Sequence, residues 1–311
     1  MVHINTILCP IDFSGFSRHA FDRAVAIARG AGASVTALHV APFKEAPIYP
    51  YLEPRGVEAF MLSCGDRDKL TAELKRFLSV EQPIGVPVTC EVVDAPNVHD
   101  EILAQADRQK ADLIVMGTHG RSGFQRLFLG SVTEKVLRTA RPPVLTVGAA
   151  GDVVPAHDFS FKRILCAVDF SGCSLAALRY ATTLAASSGA NVAALNVMEW
   201  LPVAYDPLLG PATDLAGYQM AAEALGRQRL HNAIVELALE NVEEVVGAGK
   251  PHHEILRIAE ERHSDLIVLG IHGRNPVGRM LFGSTAEPVV RRAACPVLTV
   301  RDEVQLASVA A

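Results

Sequence analysis

A chain of 311 residues, half of them hydrophobic and a fifth charged, is long enough for two globular cores of about 150 residues each. Its formal net charge of −5 leaves no basic excess for a phosphate-backbone footprint, which sets nucleic-acid binding aside. No run of 18 apolar residues occurs, and the start MVHINTILCPID has no basic stretch leading into an apolar core. Neither a membrane span nor a signal peptide is therefore expected, and the expected location is cytoplasmic.

In chain order, Thr6–Ile11 is a short apolar run suited to a buried strand. Ser17–Gly30 follows with apolar residues at helical spacing (Ala20, Ala24, Ile27, Ala28) and a serine at its N-cap. Ser34–Val40 is a second strand. A proline-rich loop (Pro42, Pro47, Pro50, Pro54) leads to a long helix ending near Leu78. Val86–Val93 is a third strand, Val98–Gln109 a helix, and Asp112–Gly117 an almost purely aliphatic fourth strand. Ser131–Thr139 is a helix and Val144–Val147 a last short strand.

The pattern then repeats. Residues 7–17 (ILCPIDFSGFS) and 164–174 (ILCAVDFSGCS) are identical at 8 of 11 positions. Met116–Val147 aligns without a gap to Leu269–Val300, with 16 of 32 positions identical. The second copy carries strands near Arg163–Val168, Asn191–Val197, Val242–Val246, Leu266–Gly270 and Val297–Val300, with helices between. Apolar strands alternating with helices indicate an α/β fold with a parallel sheet covered on both faces. The expected organisation is a first domain over 1–148, a linker over 149–161, a second domain over 162–301 and a tail over 302–311. The six cysteines (Cys9, Cys64, Cys90, Cys166, Cys173, Cys295) form no C-x-x-C pair, and Cys9 and Cys166 read as small buried residues in a reducing compartment.

The chemistry concentrates after the fourth strand of each copy. Gly117-x-x-Gly120, nine residues, and Gly130-Ser131 open a helix, and Gly270-x-x-Gly273, nine residues, and Gly283-Ser284 do the same in the second copy. Glycines let the backbone turn and approach a ligand, and the amides of such a loop and helix start favour an anion. Loop geometry alone argues only for a phosphate. Asp12 and Asp169 stand at carboxyl ends of strands, where open parallel sheets bind ligands, and read either as ribose, base or cation contacts or as turn residues. His119, His272, Arg121, Arg126, Arg274 and Arg279 lie in the loops as candidate phosphate donors. No base–nucleophile set can be assembled, the P-loop lysine pattern is absent, and so is a G-x-G-x-x-G turn after a first strand.

The G-x2-G-x9-G-[ST] loop, the I/V-D-F-S strand ends and the closing PVLTV strands resemble the universal stress protein family in its tandem form, across nearly all of both copies. The resemblance implies two Rossmann-like domains, each with a five-stranded parallel sheet of order 3-2-1-4-5, and ATP bound with a divalent ion such as Mg2+ held through its phosphates. It places Asp12 and Asp169 near the nucleotide and the backbones of Val40 and Val197 at adenine. Gly117, Gly120, Gly130 and Ser131 would hold phosphates in the first copy, with Val132 and Thr133 adjoining. Gly270, Gly273, Gly283 and Ser284 would do so in the second, with Thr285 next.

The resemblance also implies pairing through the last strands, which a tandem chain can satisfy internally as a pseudo-dimer, Val144–Val147 against Val297–Val300; a further homodimer stays open. The second loop is stiffer, with Asn275-Pro276 for Ser122-Gly123, and Pro288 replaces Lys135, where loss of an N–H in the first turns is cheap. Both loops keep the core motif, so two competent sites are expected. The leading reading is an ATP-binding stress-response regulator without fast turnover. The others are a slow ATPase, and a protein or apolar-ligand interaction module using Ala41–Pro54 and Trp200–Pro211.

Overall fold

The computed structural model describes residues 3–42, 64–79, 85–119, 129–148, 161–199, 215–271 and 283–301. The chain divides into two compact units, His3–Phe159 and the part from Ser160 onward. In the first, the order is β1 (Thr6–Pro10), α1 (Gly15–Ala31), β2 (Ser34–Pro42), α2 (Cys64–Leu78), β3 (Val88–Ala95), α3 (Val98–Arg108), β4 (Leu113–Gly117), α4 (Ser131–Thr139) and β5 (Val144–Val147). In the second it is β6 (Arg163–Ala167), α5 (Gly172–Ser188), β7 (Asn191–Met198), α6 (Leu215–Glu236), β8 (Val242–Ala248), α7 (Pro251–Glu261), β9 (Leu266–Gly270), α8 (Ala286–Arg292) and β10 (Val297–Val300).

Within the first unit all pairings are parallel, in the order β3-β2-β1-β4-β5. The second repeats it as β8-β7-β6-β9-β10. Chain direction across the sheet reverses between β1 and β4, and between β6 and β9. α1 packs with α2 and α3 with α4, as right-handed crossovers require when the chain first walks outward one way and then the other. Every residue of β4 and β5 is buried, which is why these runs carry no polar alternation. Among the described residues no helix is long and apolar enough to cross a membrane.

An aspartate pins the switch point in each copy. Asp112 Oδ2 accepts the N–H groups of Asn5 at 2.7 Å and Thr6 at 3.0 Å, tying the start of β1 to that of β4. Asp265 does the same for Lys162 and Arg163 at 2.7 and 3.0 Å. α1 begins two residues before its apolar periodicity, because Ser14 Oγ accepts the Ser17 N–H at 3.2 Å and caps it. Ser171 caps α5 through Ser174 in the same way.

Cys9 and Cys166 lie in the central strands, fully buried, and burial pushes both thiols up, with the charge of Asp22 adding to the effect at Cys9. They are packing residues, and neither is expected to react with a thiol reagent until its unit unfolds. Labelling of either in the native protein, read by mass spectrometry, would contradict this.

The first turn of each unit's first helix runs against the end of the fourth strand. A Cβ built on Gly117 would lie 2.8 Å from Phe16 Cβ, and one on Gly270 would lie 2.4 Å from the backbone carbon of Cys173. Both contacts are with atoms that the helix backbone fixes, and the approach at Gly270 is the closer, so Gly270→Ala should destabilise its unit more than Gly117→Ala does the first, each by about 1–3 kcal/mol or more. Hydrogen exchange of β9 and β4 amides under native conditions reads the two effects separately; wild-type protection in both variants would refute the packing account.

Candidate nucleotide site

The site grows from the carboxyl ends of β1, β2 and β4. Past β1 the chain turns at Asp12, whose Oδ1 accepts the Ser14 N–H at 3.0 Å, closing an aspartate turn into the α1 cap. Phe13 takes φ 61°, a left-handed conformation rare for an aromatic residue. Its ring meets His39 at 4.7 Å and Phe77 of α2 at 5.4 Å. His39 Nδ1 lies 2.8 Å from the carbonyl oxygen of Ile11; since a carbonyl only accepts, Nδ1 carries the proton.

Pairing of β1 with β2 ends at Pro10 opposite Leu38, closed by Ile11 N–H to Leu38 O at 2.8 Å. The strand period places the N–H and C=O of Val40 on the same edge one step further, above the point where β1 has turned away. On the other side of the switch, the Gly130 N–H donates to Thr118 O at 2.9 Å and starts α4. The Thr133 hydroxyl, 4% exposed, donates to Gly117 O at 2.9 Å and bolts the first turn of α4 to the end of β4. The leading N–H groups of α4, at Ser131, Val132 and Thr133, have no carbonyl within their own helix to bond. Thr118 Oγ1 and His119 Nδ1 are 2.9 Å apart, and the His119 ring lies 5.1 Å from that of Phe16.

These groups enclose a cleft of about 320 Å³, within the range of small-molecule sites. Its apolar lining includes Pro10, Ile11, Leu38, Val40, Val98 and Met116. Asp12, Gly117, His119, Gly130, Ser131, Val132 and Thr133 line it as well. The structure thus brings Asp12, Val40, Gly117, His119, Gly130, Ser131, Val132 and Thr133 around one cavity. Gly120, Arg121 and Arg126 lie outside the described residues.

In the second unit Asp169, Val197 and Gly270 stand at the carboxyl ends of β6, β7 and β9, and Gly283, Ser284 and Thr285 precede α8. His272, Gly273, Arg274 and Arg279 lie outside the described residues. Asp169 Oδ1 accepts the Ser171 N–H at 3.0 Å, repeating the aspartate turn, and Phe170 takes φ 65° with Arg229 4.3 Å over its ring. Asn196 fills the place of His39 and donates to Val168 O at 2.8 Å. Sequence reading missed His39; its signal was a polar residue repeated at one buried-strand position in both copies.

The model of the universal stress protein family matches residues 3–148 and 160–301. The chain belongs to the universal stress protein family. A universal stress protein of Mycolicibacterium smegmatis is 31% identical over 193 residues, covering 62% of this chain and 63% of that protein, just under two thirds of its length. Another, from Methanocaldococcus jannaschii, is 34% identical over 151 residues, covering 45% of this chain and 80% of its own. The crystal structure of a universal stress protein from Archaeoglobus fulgidus shares the fold, with a TM-score of 0.64 over 96% of this chain and 98% of that one at 21% identity.

In this universal stress protein the Thr133 bolt is the local contact on which the α4 start rests. Thr133→Val keeps the volume but leaves the buried Gly117 carbonyl without its hydroxyl donor, and should cost about 1–3 kcal/mol in the first unit. Thr133→Ser should recover most of it. Hydrogen exchange of α4 and β4 amides measures the loss, and equal protection in the valine and serine variants would count against the bolt.

Proposed function

We propose that the first unit binds an adenine nucleotide, ATP, in the cleft between the ends of β1, β2 and β4. One observation carries the reading: a single cavity is lined both by apolar side chains of β1, β2, β4 and the start of α3 and by Asp12 and the start of α4. A purine ring fits the slot between Pro10, Ile11, Val98 and Met116, and the Val40 backbone offers a donor and an acceptor to its hydrogen-bonding edge. Asp12 is the acceptor in reach of a ribose hydroxyl. The triphosphate falls to the leading amides of α4 and the Ser131 hydroxyl, where the helix dipole favours negative charge. The family resemblance of the G-x2-G-x9-G-S loop supports ATP over other phosphates.

A divalent ion such as Mg2+ fits this set only as a companion of the phosphates, because Asp12 is the one carboxylate among the described lining residues. Such an ion would screen the phosphate charge. The reading is a regulator that reports nucleotide state through its conformation in the stress response.

Denaturing the purified protein and identifying any released nucleotide, with calorimetric titration of ATP, tests the proposal. ATP should be released or bound, and Asp12→Ala should weaken binding about tenfold, the loss of one hydrogen bond to a charged group. Neither release nor binding would refute it, and steady-state phosphate release abolished by Asp12→Ala would make the protein an ATPase instead.

A further inference from the structure

The two units part company at the start of the helix that follows the glycine-rich loop. Gly130 enters α4 with φ −59° and ψ 134°, and the helix runs from Ser131. Its counterpart Gly283 has φ +84°, in the left-handed region. Ser284 and Thr285 then form a turn that leads into α8 at Ala286, with Thr285 itself in the helical region. The first carbonyl bond loosens accordingly. Glu134 N–H reaches Gly130 O at 2.8 Å, whereas Glu287 N–H lies 3.4 Å from Gly283 O.

Two substitutions account for this. Thr133, whose hydroxyl bolts α4 to Gly117 O, is replaced by Ala286, which has no group to offer Gly270 O. Lys135, inside α4, is replaced by Pro288. A proline has no N–H for the carbonyl of the residue four before it, and its ring collides with that carbonyl. That residue is Ser284, the phosphate-facing serine of the motif. The Ser284 carbonyl therefore loses its helical donor and is crowded by the proline ring, and the first turn opens to the longer Glu287–Gly283 contact.

From these differences we infer that the chain holds one ATP, in the first unit, and that Ala286 and Pro288 are the residues that withdraw the second unit from nucleotide binding. The inference rests on the nucleotide reading of the first cleft. With Gly283 in the left-handed region, the second loop enters its turn from another direction than Gly130 enters α4, so a phosphate there would not face the same set of donors. Losing even one charge-assisted hydrogen bond weakens binding at least about tenfold.

Native mass spectrometry of the full chain titrated with ATP decides the matter. The wild type should bind one ATP. Ala286→Thr with Pro288→Lys should bind two. The reciprocal exchange, Thr133→Ala with Lys135→Pro, should weaken the first site at least tenfold in calorimetry, and should fold because the second unit carries that pair natively; circular dichroism checks both variants. Two ATP on the wild type would overturn the inference while leaving the nucleotide reading intact. One ATP unaffected by the reciprocal exchange would place the site in the wrong unit and overturn it as well. A folded Ala286→Thr/Pro288→Lys chain still at one ATP would overturn the assignment to these two residues. No ATP on any form would overturn the nucleotide reading, and this inference with it.

Discussion

The first turn of α1 lies so close to the end of β4 that only a hydrogen fits where Gly117 would carry a side chain, and α5 bears on Gly270 in the same way. This approach sets the geometry of the switch point. It draws the β1–α1 turn over the end of β4, so that Asp12, held by the Ser14 amide, and the start of α4, held by Thr133 on the Gly117 carbonyl, face one cavity. Gly117 is therefore a packing residue before it is a ligand residue. The glycine of the motif nearest the strand answers to the protein's own helix, and the space a nucleotide would use opens beside it.

A second layer of contacts holds the carboxyl ends of β1 and β2. His39 secures the Ile11 carbonyl and carries the ring of Phe13, which in turn reaches Phe77 on α2. A left-handed phenylalanine persists only where its surroundings hold it, and here two rings do. The second unit solves the same problem with Asn196 and with Arg229 over Phe170. The scaffold of the aspartate turn is thus kept in both copies, whereas the glycine conformation and the threonine bolt at the helix start are found only in the first.

The duplication, the strand and helix order and the placement of the loop were legible because they are written in local pattern. The aliphatic runs of β4 and β9 announce strands buried on both faces, and the bounds of α4 follow from its capping glycine and its apolar spacing. Sheet order came from the family resemblance, and the pairings within each unit agree with it. The left-handed conformation of Gly283 was not legible. Equal motifs at Gly130-Ser131 and Gly283-Ser284 suggested equal sites, and the residues that undo the equality, Ala286 and Pro288, lie outside the motif and act through the helix behind it. The role of His39 was hidden for a related reason, because it bonds a carbonyl that only the strand register brings near.

The account's central claim is that one cavity at the β1–β4 switch of the first unit receives the whole nucleotide. A crystal structure of the full chain grown with ATP tests it most directly. The account predicts the adenine ring in the apolar slot against the Val40 backbone, and the phosphates at the amides of Ser131–Thr133. Density for ATP elsewhere on the chain, with this cleft empty, would contradict it.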